Sequence, residues 1–217
     1  AICYNTAPAG LTGTAPAGGT GIYGYQWQSS ADNVTFNNIG GATAPNYSPP
    51  ALTATTYYRR IVNSGPCSNI SGSIQITVYA NLTAGTIQSA QSICYNTEPA
   101  ALTQATSPTG GTGAYTYQWQ DSPDNVTFTN IGGATGVGFA PPVLTANRYY
   151  RRNVTSGSCG TVSSASILIT VYANLTAGTV GSAQTICYNG IPAAFTQLTA
   201  PAGGTGAYTY QWQSSPD

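Results

Sequence analysis

A repeat of about 92 residues runs through this 217-residue chain and limits its possible folds more than any other feature. The tryptophans Trp27, Trp119 and Trp212 mark the same position in successive copies. Solenoid repeats run roughly 20 to 50 residues, so this longer period is typical of one small domain per repeat. We therefore expect each repeat to build its own hydrophobic core.

The phrase ICYN occurs once in each copy, at 2–5, 93–96 and 186–189. Repeat 1 covers residues 1–80 and lacks its first strand, repeat 2 covers 81–173 and is complete, and repeat 3 covers 174–217 and is truncated. We expect the chain to be a window on a longer polypeptide whose repeats stack end to end. The alternative is that a neighbouring chain completes the truncated repeat.

The local pattern within each repeat predicts β-strands. Tyr115, Tyr117 and Trp119 alternate with Gln118 and Gln120, which places the aromatic residues on one face of a strand. Glycine and proline interrupt such runs about every ten residues, and no helical period is present. We predict an all-β fold with Trp27, Trp119 and Trp212 in the cores and with the flanking glutamines exposed.

Five cysteines recur with the repeat, in the order Cys, Trp, Cys. That order resembles immunoglobulin domains, so we predict tandem immunoglobulin-like β-sandwiches. The expected disulfides lie within repeats, Cys3–Cys67 and Cys94–Cys159, with the partner of Cys187 outside the chain. The rival pairing, which crosses the repeat boundaries, joins Cys67 to Cys94 and Cys159 to Cys187.

Composition argues against catalysis. Charged residues make up 5% of the chain, and histidine and lysine are absent, which removes the common general bases. Asp32, Asp124 and Asp217 repeat one turn position and are expected to be structural. We therefore predict no enzyme activity, no cofactor and no metal site. With neither basic clusters nor a long apolar run, we expect neither nucleic-acid binding nor membrane insertion.

The strand YYRRIV at 57–62 raises two further expectations. Its alternation points Arg60 inward, where a buried guanidinium needs a partner, and Asp32 is one of few carboxylates available. The same alternation makes Tyr57 and Tyr149 the best candidates for exposed aromatic residues that contact a partner.

Several longer phrases resemble the immunoglobulin-like repeats of very large surface proteins of Bacteroidota. They are YQWQxSxDNVTFxNIxGAT, LTxTTYYRR, VxSGxC and ITVYA, at 117–135, 52–60, 154–159 and 76–80. The resemblance is to gliding-motility adhesins of the SprB type and related chains that the type IX secretion system exports. It implies a filament secreted to the outer surface of a Gram-negative bacterium, and it supplies no catalytic residues.

The expected function is thus a structural or adhesive segment of a surface protein. Its partners would be neighbouring repeats, other copies in a filament and, weakly, a substratum or polysaccharide surface. Two alternatives stay open: a laterally packed extracellular fibre or sheath, and an accessory region of a secreted polysaccharide hydrolase.

Overall fold

The computed structural model describes residues 1–216, which form β-strands and turns and so confirm the all-β prediction. A single 3-10 turn, Gly157–Cys159, is the one helical element within these residues. Repeat 1 contains β1 (Gly24–Ser30), β2 (Asn37–Asn38), β3 (Thr56–Ser64), β4 (Cys67–Ile70) and β5 (Ile74–Ile76).

Twelve further strands follow along the chain. Repeat 2 contains β6 (Thr86–Gln88), β7 (Gln91–Ile93), β8 (Thr103–Thr106), β9 (Thr116–Ser122), β10 (Thr129–Asn130), β11 (Arg148–Thr155), β12 (Thr161–Ser163) and β13 (Ile167–Val171). The final stretch contains β14 (Ala173–Thr176), β15 (Thr179–Gly181), β16 (Thr196–Thr199) and β17 (Ala202–Gly204).

The chain divides into two compact units whose limits differ from those of the repeats. The first unit comprises Ala1–Thr86, Thr106–Tyr117 and Asn153–Ser164. The second comprises Ile87–Ala105, Gln118–Arg152 and the residues from Ala165 onward. The first unit thus holds all of repeat 1 together with segments of repeat 2.

The first unit contains a five-stranded sheet in the order β2-β1-β3-β4, with β5 also paired to β3. Ile2 bridges Val78 in parallel and extends the sheet past β5. A second layer is marked by two antiparallel bridges, Thr6 to Leu52 and Leu11 to Tyr47. Two layers around a buried tryptophan on a central strand form an immunoglobulin-like β-sandwich, as predicted.

The core of the first unit draws on both layers. Trp27 is 2% exposed and packs with Tyr58 from the sheet and with Leu11 and Leu52 from the second layer. The indole N–H of Trp27 donates to the carbonyl oxygen of Ala44 at 3.1 Å, so the polar atom of the ring is satisfied. This core contains no disulfide between its layers, unlike an antibody domain.

The second unit repeats this design. Its sheet has the order β10-β9-β11-β13-β7, in which β7 runs parallel to β13. Trp119 is fully buried, and its N–H donates to the carbonyl oxygen of Gly136 at 3.0 Å. Leu102, Tyr150 and Ile169 complete the centre of the core.

Trp212 differs from the prediction, because it is 59% exposed. Trp119 is covered by residues of β11 and β13, Tyr150 and Ile169. The sequence stops at position 217, before any counterpart of those strands. Trp212 stacks on Phe195, with ring centroids 6.0 Å apart.

The glutamines beside the tryptophans are also less exposed than predicted. Gln28 is 8% exposed and donates to the side-chain oxygen of Asn38 at 2.8 Å. The side-chain oxygen Oε1 of Gln28 accepts a hydrogen bond from Nε of Arg59. The guanidinium of Arg59 lies 3.9 Å above the ring of Phe36. The outer face of the sheet is therefore covered by a polar and aromatic layer.

Candidate functional site

Each repeat has a Gly-Gly-Thr-Gly turn shortly before its tryptophan strand. In repeat 2 the turn has φ of 75° at Gly110 and 59° at Gly111, a region that suits glycine. Gly110 lies so close to the preceding segment that an added Cβ would collide with the carbonyl oxygen of Asn81. The glycine is needed here for both its backbone angle and this contact.

A buried serine fixes the turn to the end of the long strand β11. Ser156 is fully buried, and its Oγ accepts from the backbone N–H of Thr112 and donates to the carbonyl oxygen of Ala114, both at 2.9 Å. In repeat 1, Ser64 accepts from the N–H of Thr20 at the same distance. The two repeats therefore build the same surface at this end.

We call this surface the head face of a repeat. In repeat 1 it consists of Gly18–Thr20, Ser64 and Cys67, and in repeat 2 of Gly110–Thr112, Ser156 and Cys159. The cysteine follows the buried serine by three residues: Cys67 begins β4, and Cys159 ends the 3-10 turn after β11.

The disulfide joins Cys3 to Cys159, with Cα atoms 5.2 Å apart, and corrects both pairings considered from the sequence. Cys3 follows Ile2, which pairs with Val78 beyond the Thr56 end of β3. Cys67 pairs with Ser64 at the other end of β3. Nine extended residues span about 26 Å, whereas bonded cysteines have Cα atoms at most about 7 Å apart, so Cys3 and Cys67 cannot bond.

The other three cysteines, Cys67, Cys94 and Cys187, are unbonded and exposed. The predicted Cys94–Cys159 bond is therefore also absent. In terms of the repeat, the first cysteine of repeat 1 bonds the second cysteine of repeat 2. Comparison of the repeats with one another could not predict this pairing, because Cys67 and Cys159 occupy the same position in their repeats.

The segment that ends repeat 1 lies on the head face of repeat 2, within the first unit. The N–H of Gly111 donates to the carbonyl oxygen of Ala80 at 2.9 Å, and Thr83 bridges Thr109. Leu82 is buried to 8% exposure next to Gly111. We call Ala80–Leu82, which spans the boundary between the two repeats, together with the nearby Cys3, the tail of repeat 1.

The comparison with protein families identifies these repeats. A model described as a domain of unknown function, DUF8696, matches residues 1–80, 83–173 and 176–217. The chain belongs to the DUF8696 family. No curated protein matches it significantly.

Solved structures that are similar to this DUF8696 chain contain tandem immunoglobulin domains or capsid domains. The four N-terminal immunoglobulin domains of Dscam1 isoform 6.9 give 12% identity and a TM-score of 0.37, over 78% of this chain and 42% of that one. Extracellular domains 3–5 of Drosophila OTK give 11% and 0.43, over 78% and 58%. Three domains of the bacteriophage RB49 outer capsid protein Hoc give 15% and 0.41, over 78% and 66%.

The aspartate turn has the same geometry in both DUF8696 repeats with a core. A carboxylate oxygen of Asp124 accepts from the N–H groups of Val126 and Thr127 and from Ser122 Oγ, at 2.7 to 3.0 Å. These hydrogen bonds favour the charged form and lower the pKa of Asp124, like that of Asp32, to about 2. Asp217, the third copy of this position, lies outside the described residues.

The asparagine after each aspartate adopts the left-handed conformation that the turn sequence predicts, with φ of 60° at Asn33 and 61° at Asn125. Asp32 therefore serves its own turn and does not pair with Arg60. The buried Arg60 donates instead to the carbonyl oxygens of Pro45 at 2.6 Å and Thr14 at 2.9 Å.

Tyr57 and Tyr149, the predicted contact residues, are only half-exposed. Each lies on the outer face of the sheet, opposite the buried Tyr58 or Tyr150. No contact with a partner follows from their position.

Repeat 2 has one feature that repeat 1 lacks. Asp121 and Arg148 form an ion pair at 3.5 Å beside a cavity of about 310 Å³, where repeat 1 has Ser29 and Thr56. Burial, with a smaller contribution from the Asp121 charge, raises the pKa of Tyr150 in this cavity to about 12. Leu144 and Phe139 form much of the remaining wall.

No three histidine, cysteine, aspartate or glutamate side chains come together among the described residues as a metal site would require. Likewise, residues 1–216 contain no helix with the length and hydropathy needed to cross a bilayer.

Proposed function

We propose that this DUF8696 chain is a structural and adhesive segment of a large secreted cell-surface protein. The proposal extends to its setting, a gliding-motility adhesin or surface filament of a Gram-negative bacterium, exported by type IX secretion. The repeats would act as a spacer that carries weak contact surfaces. The segment would have no catalysis of its own.

The observation that carries the proposal is the bond between Cys3 and Cys159. It ties the start of one repeat to a turn of the next, beside the contact between the tail of repeat 1 and the head face of repeat 2. A covalent brace at a repeat boundary suits a stalk that must keep its length. Disulfides also persist mainly in oxidising compartments, which favours an extracellular location.

The composition supports the adhesive part of the proposal. Net charge is zero, and charged residues make up 5% of the chain, so its polar side chains are mostly the uncharged ones of threonine, asparagine, glutamine and serine. Such side chains make individually weak hydrogen bonds to hydrated surfaces. Many copies of one weak site then hold a surface through avidity.

Adhesion of the oxidised chain can be compared in two forms, as free monomer and as a dense coat on beads. We expect coated beads to adhere to glass and polysaccharide gels, and the monomer to bind either surface only weakly. Tight, saturable binding of one small ligand by the monomer, abolished by a single substitution, would contradict the spacer function.

The location is tested on the organism that makes the protein. We expect intact cells to expose the chain to a membrane-impermeant biotin reagent and to protease. If only lysed cells are labelled, the chain is intracellular and the surface role fails. Deleting the type IX export machinery should abolish the surface signal while the chain accumulates inside the cell.

A further inference from the structure

The head faces of repeats 1 and 2 are alike in structure but differ in what covers them. Tyr23 donates to the carbonyl oxygen of Gly18 at 2.8 Å, as Tyr115 does to Gly110 at 2.9 Å. The serine contacts at Ser64 and Ser156 also match. The two surfaces can therefore accept the same partner.

In repeat 2 the partner is visible. The tail of repeat 1 covers the glycine turn through the contact of Asn81 with Gly110 and the hydrogen bond from Gly111 to Ala80. Leu82 is buried beside it, and Cys3 is bonded to Cys159. One docking event thus combines backbone contacts, a buried leucine and a covalent bond.

In repeat 1 the same face is open. A Cβ added at Gly18 would meet no atom within 4 Å, and the Cys67 thiol is exposed. A groove of about 280 Å³ runs along this face, lined by Gly19, Val62, Ser64 and Cys67 among others. Arg60 is the one charged residue in its wall, and its guanidinium donates to two backbone carbonyls.

We propose that the head face of repeat 1 is a docking site for the tail of another DUF8696 repeat placed ahead of it in line. The Ala-Asn-Leu segment of that tail lies along Gly18 and Gly19, its leucine enters the groove, and its first cysteine bonds Cys67. Two thiols lose two protons and two electrons to form the bond, and the oxidant is a disulfide exchange catalyst or molecular oxygen of the extracellular space. Successive repeats are then joined by one disulfide at each boundary.

The partner is an in-line repeat and not a second copy of this chain. The backbone of each of its two Ala-Asn-Leu segments already lies on a glycine turn, since Asn81 lies against Gly110 and the equivalent Asn174 lies against Gly203. A second copy would have to displace one of these segments before its Ala-Asn-Leu backbone could lie on Gly18 and Gly19. This inference does not depend on the adhesive function and would hold for any role of the array.

The test adds the missing partner to the full chain. Residues 1–91 are duplicated ahead of Ala1. In the added copy, Cys67→Ser leaves a single Cys67 in the protein. Tyr4→Phe in the added copy changes the mass of the peptide that contains its Cys3, which is then the tagged cysteine. After oxidation, non-reducing peptide mapping should show the tagged cysteine bonded to Cys67. The Cys3–Cys159 bond of the original chain must also appear, which verifies folding.

Two matched variants sharpen the result. Leu82→Asp in the added copy removes the leucine contact and should leave Cys67 open to alkylation. Val34→Asp in the same copy changes a side chain that is 80% exposed and outside the tail, and should leave the bond intact. With the added Cys3→Ser, docking alone should slow alkylation of Cys67 by about tenfold.

Three outcomes would overturn the proposal. In the first, the tagged cysteine stays reduced or bonds a cysteine other than Cys67. In the second, Cys67 is alkylated equally fast with and without the added repeat. The third outcome comes from the unextended chain, oxidised as a mixture of ¹⁴N and ¹⁵N copies. Mixed-isotope peptides at Cys67 would show that a second copy, not an in-line repeat, occupies the site.

Discussion

The two repeat boundaries of this chain share one sequence, YANLTAG, but differ in how they are closed. At both, a threonine pair just after the linker joins two strands. Thr86 of β6 bonds Thr106 of β8 at 2.9 Å, and Thr179 of β15 bonds Thr199 of β16 at 2.8 Å. Leu82 at the first boundary is 8% exposed, whereas the equivalent Leu175 at the second is 62% exposed.

The difference lies in what the following repeat provides. The first boundary includes the end of β11 and the turn with Ser156 and Cys159, both in the first unit. Residues 174–217 contain no equivalent of these residues. The linker therefore sets the backbone path, while the turn of the next repeat supplies the burial and the covalent bond.

The largest expected effect comes from breaking the disulfide. A bond across 156 residues stabilises by about 5 kcal/mol in the chain-entropy treatment, so Cys3→Ser should lower the free energy of unfolding by up to that amount. Cys94→Ser, at the equivalent position of repeat 2, should cost nothing, because Cys94 is unbonded. Urea unfolding of both variants measures the contrast, and equal losses would refute it.

The tryptophans give the next contrast. Trp119→Ala should cost about 3 to 5 kcal/mol, because it removes a fully buried side chain from a packed core. Trp212→Ala removes a side chain that is 59% exposed and should change stability by less than about 1 kcal/mol. Thermal unfolding followed by circular dichroism is sufficient, and a large loss for Trp212→Ala would mean that repeat 3 has a core.

The two leucines test the boundaries directly. Leu82→Ala should cost about 2 to 3 kcal/mol, whereas Leu175→Ala should stay within about 0.5 kcal/mol. Hydrogen exchange at Gly111, whose N–H binds Ala80, reports the loosening at the first boundary. Unchanged protection in Leu82→Ala would show that the disulfide alone holds the linker.

The smallest effect concerns acid. The pKa of about 2 for Asp124 lies below its usual value of 3.8, so its hydrogen bonds stabilise the fold above that usual value. This contribution is lost as the pH falls through 3.8 towards 2. Asp124→Asn should flatten the pH dependence of stability in that range.

Asp32→Asn is the matched variant, since Asp32 has the same turn contacts and the same lowered pKa. The two substitutions should act alike, because this turn does not depend on which boundary is closed. A pH response confined to one of them would show that the turns are not equivalent.

The alternation of β9 and the period of the tryptophans were enough to predict the strands and the sandwich. Side-chain direction in a strand follows from position alone, so Trp119 could be placed inward without knowledge of its neighbours. The same reasoning predicted that the outer face is exposed. It did not predict that Arg59 and Phe36 cover Gln28, because contact across strands depends on their register.

The disulfide could not be predicted for a different reason. Assigning Cys3 to Cys67 assumed that a domain of this kind is braced internally. The length of β3 forbids that bond, but strand length becomes decisive only when both ends of the strand are placed in space. The buried Arg60 shows the same limit, since backbone carbonyls that satisfy a guanidinium leave no trace in the sequence.

The parallel pairing of Ile2 with Val78 and the bond from Cys3 to Cys159 have a mechanical consequence. Tension applied at Ala1 passes through the sulfur atoms to Cys159 and bypasses the residues between them. At about 3.3 Å per residue, those residues store roughly 500 Å of slack that stays locked until the bond is reduced. The redox state of one bond thus decides whether the residues between Cys3 and Cys159 are shielded from a pull or extend under it as a long tether.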